Sequence, residues 1–96
     1  MAEYVRVTTF EADEASLEAL ISQINSHDGP PEGVPAKRLT VLADRAAGKV
    51  LVGVRFGSEE DLRKGSEALE AMSPPDTGMR RLSVEAYEVV LERDAP

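Results

Sequence analysis

Arginine, tyrosine and threonine recur at alternate positions of strand-like segments, and they are the side chains of this sequence best suited to bind a small molecule. Tyr4, Arg6 and Thr8 are spaced two residues apart, which places them on one face of a strand. A guanidinium binds a carboxylate or an enolate, and tyrosine and threonine hydroxyls donate hydrogen bonds to the same group. The spacing therefore predicts an anion-binding surface on this strand.

Two later segments add side chains of the same chemistry, with Arg55 in one and Glu85 and Tyr87 in the other. Burying an arginine on a central strand costs desolvation free energy unless the guanidinium is paired or faces a water-filled cavity. In the alternative interpretation, the arginines pair with Glu85 or Glu3 across strands or across a dimer interface and bind nothing else. The predicted ligand-binding set, to which Arg38 and Arg81 are weaker candidates, is Tyr4, Arg6, Thr8, Arg55, Glu85 and Tyr87.

The residue types give little support for metal binding, acid–base or nucleophilic catalysis, or phosphate binding. His27 is the only histidine, and beside a Gly-Pro turn it is more typical of a solvated helix end than of a base or a metal ligand. The two acidic runs, around Asp13 and at 59–61, precede helical patterns, where capping and the helix dipole account for them. There is no cysteine, nucleophile motif or phosphate-binding loop. We expect no metal, no cofactor and no identifiable catalytic residue.

Length and charge restrict the protein to a narrow class. A chain of 96 residues supports one hydrophobic core, so residues 1–96 form a single domain with a frayed tail at about 92–96. A net charge of −7 repels nucleic acid. Glu3 and Arg6 interrupt any leader-like apolar run, and the chain has no run of eighteen apolar residues. We therefore expect a cytoplasmic protein that binds neither nucleic acid nor membrane.

The elements that must position these side chains follow from periodicity. Alternating segments predict four strands, and stripes at helical spacing predict two helices, the first capped by Asp13 and the second by Ser58. Gly65 lies on the second helical stripe, where its small size favours a close approach to the sheet. The resulting order, β-α-β-β-α-β, is that of a ferredoxin-like α+β fold with both helices on one face of a four-stranded antiparallel sheet. The predicted elements are a strand at 4–10, a helix from Asp13 to 25–27, strands at 38–43 and 50–56, a helix from Ser58 to Met72, and a strand at 80–91.

Parity along the strands predicts which side chains face the helices. We expect the helix side to carry Val5, Val7, Leu39, Val41, Val50, Val52, Val54, Phe56, Leu82, Val84 and Ala86. We expect the opposite side to carry Tyr4, Arg6, Thr8, Phe10, Arg38, Thr40, Leu42, Leu51, Gly53, Arg55, Arg81, Ser83, Glu85, Tyr87 and Val89, unless a bulge reverses part of the last strand. Such a patch is larger than a small monomer usually exposes, so we expect a homodimer in which two sheets pack face to face.

The whole pattern resembles the dimeric α+β-barrel superfamily, and in particular small domains like the antibiotic-biosynthesis monooxygenases. The likeness lies in the first strand and helix, the hairpin Lys37–Phe56, the Ser58-Glu59-Glu60 helix start and the final strand Arg81–Val89. It implies a barrel of two sheets with a ligand cavity. Several enzymes of that superfamily use a Trp, which is absent here, so none of their catalytic roles transfers to this sequence.

Two functional hypotheses follow. The first is an accessory dimeric barrel that binds a small hydrophobic or aromatic acid, or only assembles. The second is a cofactor-independent monooxygenase or isomerase that holds an enolate next to Arg6 and Arg55. They differ in whether these arginines reach an enclosed cavity or are neutralised by neighbouring carboxylates.

Overall fold

Alternating apolar residues and two polar caps divide the chain into six elements, as the sequence predicts. The computed structural model describes residues 2–31, 33–71 and 78–95. The elements are β1 (Glu3–Glu11), α1 (Glu14–Asn25), β2 (Ala36–Asp44), β3 (Lys49–Phe56), α2 (Glu59–Ala71) and β4 (Arg80–Val89). The end of the predicted second helix at Met72 and the turn at 73–77 lie outside the described residues. Residues 90–95 follow β4 without regular secondary structure.

Both helices begin where the sequence places a cap. Asp13 Oδ1 accepts a hydrogen bond from the Ser16 backbone N–H at 2.7 Å, and Ser58 Oγ accepts one from the Asp61 N–H at 3.1 Å. Each cap satisfies a backbone donor that has no partner within its helix. The carboxylates in the first turns of α1 and α2 also lie at the positive ends of the helix dipoles.

The four strands form one antiparallel sheet in the order β2-β3-β1-β4. The β2–β3 hairpin turns at Gly48, whose φ of +66° suits a residue without a side chain. Element order and pairing together confirm the predicted ferredoxin-like α+β fold. β1 and β3 therefore occupy the middle of the sheet, and β2 and β4 lie at its edges.

The core lies between one face of the sheet and the two helices. Leu17 and Leu20 of α1 pack with Val50, and Leu62 and Leu69 of α2 pack around Phe56. Phe56 is the most deeply buried of these side chains, with no exposed area. The predicted helix-side positions of β3 are therefore confirmed, and so are those of β2, whose Leu39 and Val41 lie directly opposite Val54 and Val52.

The face assignment of β1 from parity was wrong. Residues directly opposite each other in an antiparallel pair share a face, and Tyr4, Arg6, Thr8 and Phe10 lie opposite Phe56, Val54, Val52 and Val50. All four therefore face the helices. Val5 and Val7 instead lie opposite Arg55 and Gly53, on the face without helices. The regular Val-x-Val alternation resembled a core pattern, although the positions between the valines are the buried ones.

A bulge changes the face of one residue at the start of β4. The β1–β4 register shifts between Thr9 and Phe10, which pair with Ser83 and Arg81. Arg81 consequently lies on the helix side with Phe10, not on the opposite side as parity predicted, and Leu82 is the extra residue of the bulge. Beyond it, Ser83, Glu85, Tyr87 and Val89 lie on the predicted side. No helix among the described residues has the length and apolar character needed to cross a membrane.

Candidate functional site

Two arginines and a buried threonine share the helix side of the sheet with a carboxylate from α2. Glu70 Oε1 accepts hydrogen bonds from Arg6 Nη2 at 2.5 Å and from Arg81 Nη1 at 2.8 Å. The side chain of Arg6 is 8% exposed, whereas those of Glu70 and Arg81 are 49% and 51% exposed. We call Arg6, Thr8, Glu70 and Arg81 the helix-side cluster. Its buried end is Arg6, and its solvent end is the pair Glu70–Arg81.

The guanidinium of Arg6 is only partly compensated in this environment. Burial lowers its pKa, the Glu70 carboxylate opposes that change, and the nearby positive charge of Arg81 adds to the lowering. Withdrawing a charge from water is unfavourable, and the single negative charge of Glu70 is shared between two guanidinium groups. The cluster therefore carries a net positive charge at the helix side of the sheet.

Tyr4 and two small apolar residues border the helix-side cluster. Tyr4 lies two residues before Arg6 on the same face of β1, and burial together with the carboxylates of Glu59 and Glu88 raises its pKa. Opposite Arg6 and Thr8 on β4 are Ala86 and Val84, both exposed. The helix side of β4 next to the arginines is thus an apolar strip in contact with solvent.

The face of the sheet without helices has a different composition. We call it the open face. Glu85 lies near its centre, directly opposite Val7. The other central residues are apolar or uncharged and come from all four strands. They are Val5, Val7, Thr9, Thr40, Leu42, Leu51, Gly53, Ser83, Tyr87 and Val89.

Arg55 lies at one end of the open face and donates three hydrogen bonds to two carboxylates. Its Nε donates to Glu3 Oε1 at 2.6 Å, and its two Nη groups donate to the Glu92 carboxylate at 2.6 and 2.8 Å. Lys37 Nζ donates to the other oxygen of Glu3 at 2.6 Å. The hydrogen bonds from Arg55 lower the pKa of Glu92, those from Lys37 and Arg55 lower that of Glu3, and both carboxylates raise the pKa of Arg55. The predicted pairing of an arginine with Glu3 is confirmed at Arg55.

Tyr87 and Glu85 form a second polar contact on the open face. The Tyr87 hydroxyl donates to Glu85 Oε2 at 2.6 Å. This hydrogen bond is the main cause that raises the pKa of Tyr87, because ionisation would remove the donor and place two negative charges side by side. Glu85 thus pairs with Tyr87, and not with an arginine as the alternative interpretation expected.

Charges on the open face balance one another. The basic residues on it or reaching onto it are Lys37, Arg38, Lys49, Arg55 and Arg80, and the acidic ones are Glu3, Glu11, Asp44, Glu85 and Glu92. These five basic and five acidic residues cancel, although the whole chain has a net charge of −7. The negative excess therefore resides on the helices and loops.

The structure divides the predicted ligand-binding set between the two sides of the sheet. Tyr4, Arg6 and Thr8 lie on the helix side, and Arg55, Glu85 and Tyr87 lie on the open face. Sequence reasoning missed the two carboxylates that organise the arginines, Glu70 and Glu92. Their only sequence signal is an acidic residue near the end of an element, which many unrelated positions share.

The described part of the chain has a groove beside the β2–β3 hairpin and no group of residues arranged to hold a metal ion. A groove of about 250 Å³ lies between the start of α1 and the β2–β3 hairpin, open to solvent and lined by residues such as Leu17, Arg45 and Val50. Among residues 2–31, 33–71 and 78–95, no three His, Asp or Glu side chains are grouped so as to hold a metal ion. No protein-family model matches the chain, and no curated protein matches it significantly.

Proposed function

We propose that the protein is a homodimeric α+β barrel, formed by packing two open faces together, with an accessory or ligand-binding role. The observation that carries the proposal is the open face itself, which is apolar at its centre and balanced in charge. Leu42 and Tyr87 are 57% and 52% exposed in the single chain. A surface of this kind on a small chain is typical of a protein interface.

Electrostatics favours a second copy of the chain as the partner. Two molecules of charge −7 repel each other, but the open face contributes nothing to that charge. A two-fold dimer brings one patch against its own copy, so a face that carries equal numbers of both signs is compatible with itself. The acidic helices then point away from the partner on the two outer sides.

The size of the open face is compatible with a dimer. Four strands about 4.8 Å apart and about 30 Å long give a flat area of roughly 550 Å², which side-chain relief enlarges toward the ~800 Å² per partner of a standard interface. The tail beyond β4 adds Val90 and Leu91, which are 84% and 79% exposed. Glu92 ties this tail to Arg55 at the end of the same face.

An accessory role fits the state of Arg55 better than catalysis does. A cofactor-independent oxygenase or isomerase needs a guanidinium available to a developing enolate. The donors of Arg55 are directed to Glu3 and Glu92. Catalysis through these three donors would require the substrate to displace the carboxylates.

Sedimentation at micromolar concentration tests the proposal. We expect a dimer for the natural sequence and a folded monomer for Leu51→Lys, which places a charge at the centre of the open face. Leu39→Lys is the matched control, because Leu39 is a leucine on the helix side of the neighbouring strand and is 44% exposed. A monomeric natural chain, or equal effects of the two lysines, would overturn the proposal.

A further inference from the structure

We propose that the helix-side cluster binds a small organic acid, with its carboxylate between Arg6 and Arg81 and its apolar body on Val84 and Ala86. The site lies on the opposite side of the sheet from the dimer interface proposed above. It therefore does not depend on that interface.

The helix-side cluster has an excess positive charge that a second anion could neutralise. Glu70 Oε1 accepts from both guanidiniums, so the three side chains together carry one positive charge. Of the other acids around it, Glu67 pairs with Arg63 on α2, and Glu59 and Glu88 act on Tyr4 and not on Arg6. A monocarboxylate would neutralise the remaining charge of the cluster.

Buried hydrogen-bond donors of the cluster would orient the carboxylate of such a ligand. Arg6 has five N–H groups and makes one side-chain hydrogen bond to the described residues, to Glu70. Thr8 is 8% exposed, and its hydroxyl has no side-chain partner in the described part of the chain. Both lie on the helix side of β1, two residues apart. A carboxylate that meets Arg6 and Thr8 would lose part of its hydration and gain charge-assisted hydrogen bonds from these donors in return.

The surroundings select the chemical class of the ligand. Val84 and Ala86 lie directly opposite Thr8 and Arg6 and are exposed, so an apolar group next to the carboxylate would cover them. A single excess positive charge in a chain of charge −7 suits one carboxylate and not a multiply charged phosphate ester. We therefore infer a monocarboxylic acid with an aromatic or branched hydrocarbon body.

Titration with benzoate tests this inference, read by backbone amide shifts and by thermal stabilisation. We expect saturable shifts at Thr8, Val84 and Ala86. Arg81→Gln should weaken binding by about tenfold, because it removes one charge-assisted hydrogen bond. The matched control is Arg80→Gln, since Arg80 is the preceding residue, lies on the open face and pairs with Glu11. It should leave the affinity within about twofold.

A second variant distinguishes a ligand site from an ion pair that serves only the fold, because only a ligand site would bind benzoate more tightly after the change. Glu70→Gln removes the competing carboxylate, so it should tighten benzoate binding. Benzyl alcohol, which lacks the charge, should give no saturable shift at these residues. Absence of benzoate binding, equal weakening by Arg80→Gln and Arg81→Gln, or equal binding of benzyl alcohol would overturn the inference. The same titration on the monomeric Leu51→Lys chain separates this site from the dimer.

Discussion

The ring of Phe56 occupies the space that a β-carbon at residue 65 would need. A Cβ built on Gly65 would lie 2.6 Å from the Phe56 Cζ, closer than side-chain carbons approach in proteins. Phe56 has no exposed area and packs in a cluster with residues of α2 and the 34–36 segment. The absence of a side chain at Gly65 lets α2 lie directly on β3, as its position on the helical stripe predicts.

The first prediction concerns this contact. Gly65→Ala should lower the free energy of unfolding by about 1–2 kcal/mol, because overpacking outweighs the ~1 kcal/mol that alanine gains in a helix. Gly29→Ala is the control, since nothing lies within 4 Å of a Cβ there. Denaturant unfolding measures both. An unchanged or increased stability of Gly65→Ala would show that the ring moves aside freely.

The second prediction concerns the pair Arg6–Glu70. Glu70→Gln should destabilise the fold by about 1–2 kcal/mol, less than for a fully buried pair, because half of the Glu70 side chain is exposed. Glu67→Gln, on the same helix, breaks an exposed pair with Arg63 and should cost at most about 0.5 kcal/mol. Chemical unfolding at low and high salt compares them. Equal costs would mean that the Arg6 guanidinium is not held by Glu70.

Sequence reasoning predicted the elements well because their signals are local. The caps Asp13 and Ser58, the turn glycine Gly48 and the alternation of β3 all depend on neighbours within a few residues. These signals were enough to give the element order, and the order restricts the topology to the observed sheet.

The site was less predictable because its partners are distant in sequence. Arg6 and Glu70 are 64 positions apart, and Arg55 and Glu92 are 37 apart. Without those carboxylates, parity favours burying Val5 and Val7 over Arg6 and Thr8, which is the error that occurred on β1. Val5 and Val7 replace Tyr4 and Phe10 on the open face, so its apolar character survives the correction.

The third prediction concerns the hydroxyl of Tyr87. Its pKa should exceed the ordinary value of 10.0, because the neutral form donates to Glu85. Ultraviolet titration of Tyr4→Phe reports Tyr87 alone, since the chain has two tyrosines. Glu85→Gln in that background should lower the pKa of Tyr87 toward its ordinary value. Identical titration curves would show that the hydrogen bond does not form in solution.

The fourth prediction concerns acid stability at the Arg55–Glu92 pair. The pKa of Glu92 is lowered from 4.5, so the pair stabilises the fold above that value, and the stabilisation is lost as pH falls through the folded-state pKa. Unfolding of the natural chain should therefore become easier below about pH 4.5. Glu92→Gln should show a smaller dependence on pH in that range.

Asp94→Asn serves as the control for this experiment, because Asp94 is an exposed carboxylate in the same tail with no ion pair among the described residues. It should retain the pH dependence of the natural chain. If Glu92→Gln and Asp94→Asn behave alike, the tail is not held by Arg55.

The fifth prediction uses the one glycine at the centre of the open face. A Cβ on Gly53 would lie 3.7 Å from Val5 Cγ1 and 3.8 Å from the Thr40 carbonyl oxygen, which are ordinary contacts. Gly53→Glu therefore fits the single chain, but it places a carboxylate in the middle of two packed sheets, where desolvation is unfavourable. We expect Gly53→Glu to remain folded by circular dichroism and to weaken dimerisation at least about tenfold in sedimentation. Gly53→Ala should remain dimeric, and a Gly53→Glu chain that dimerises as well as the natural one would place the interface elsewhere.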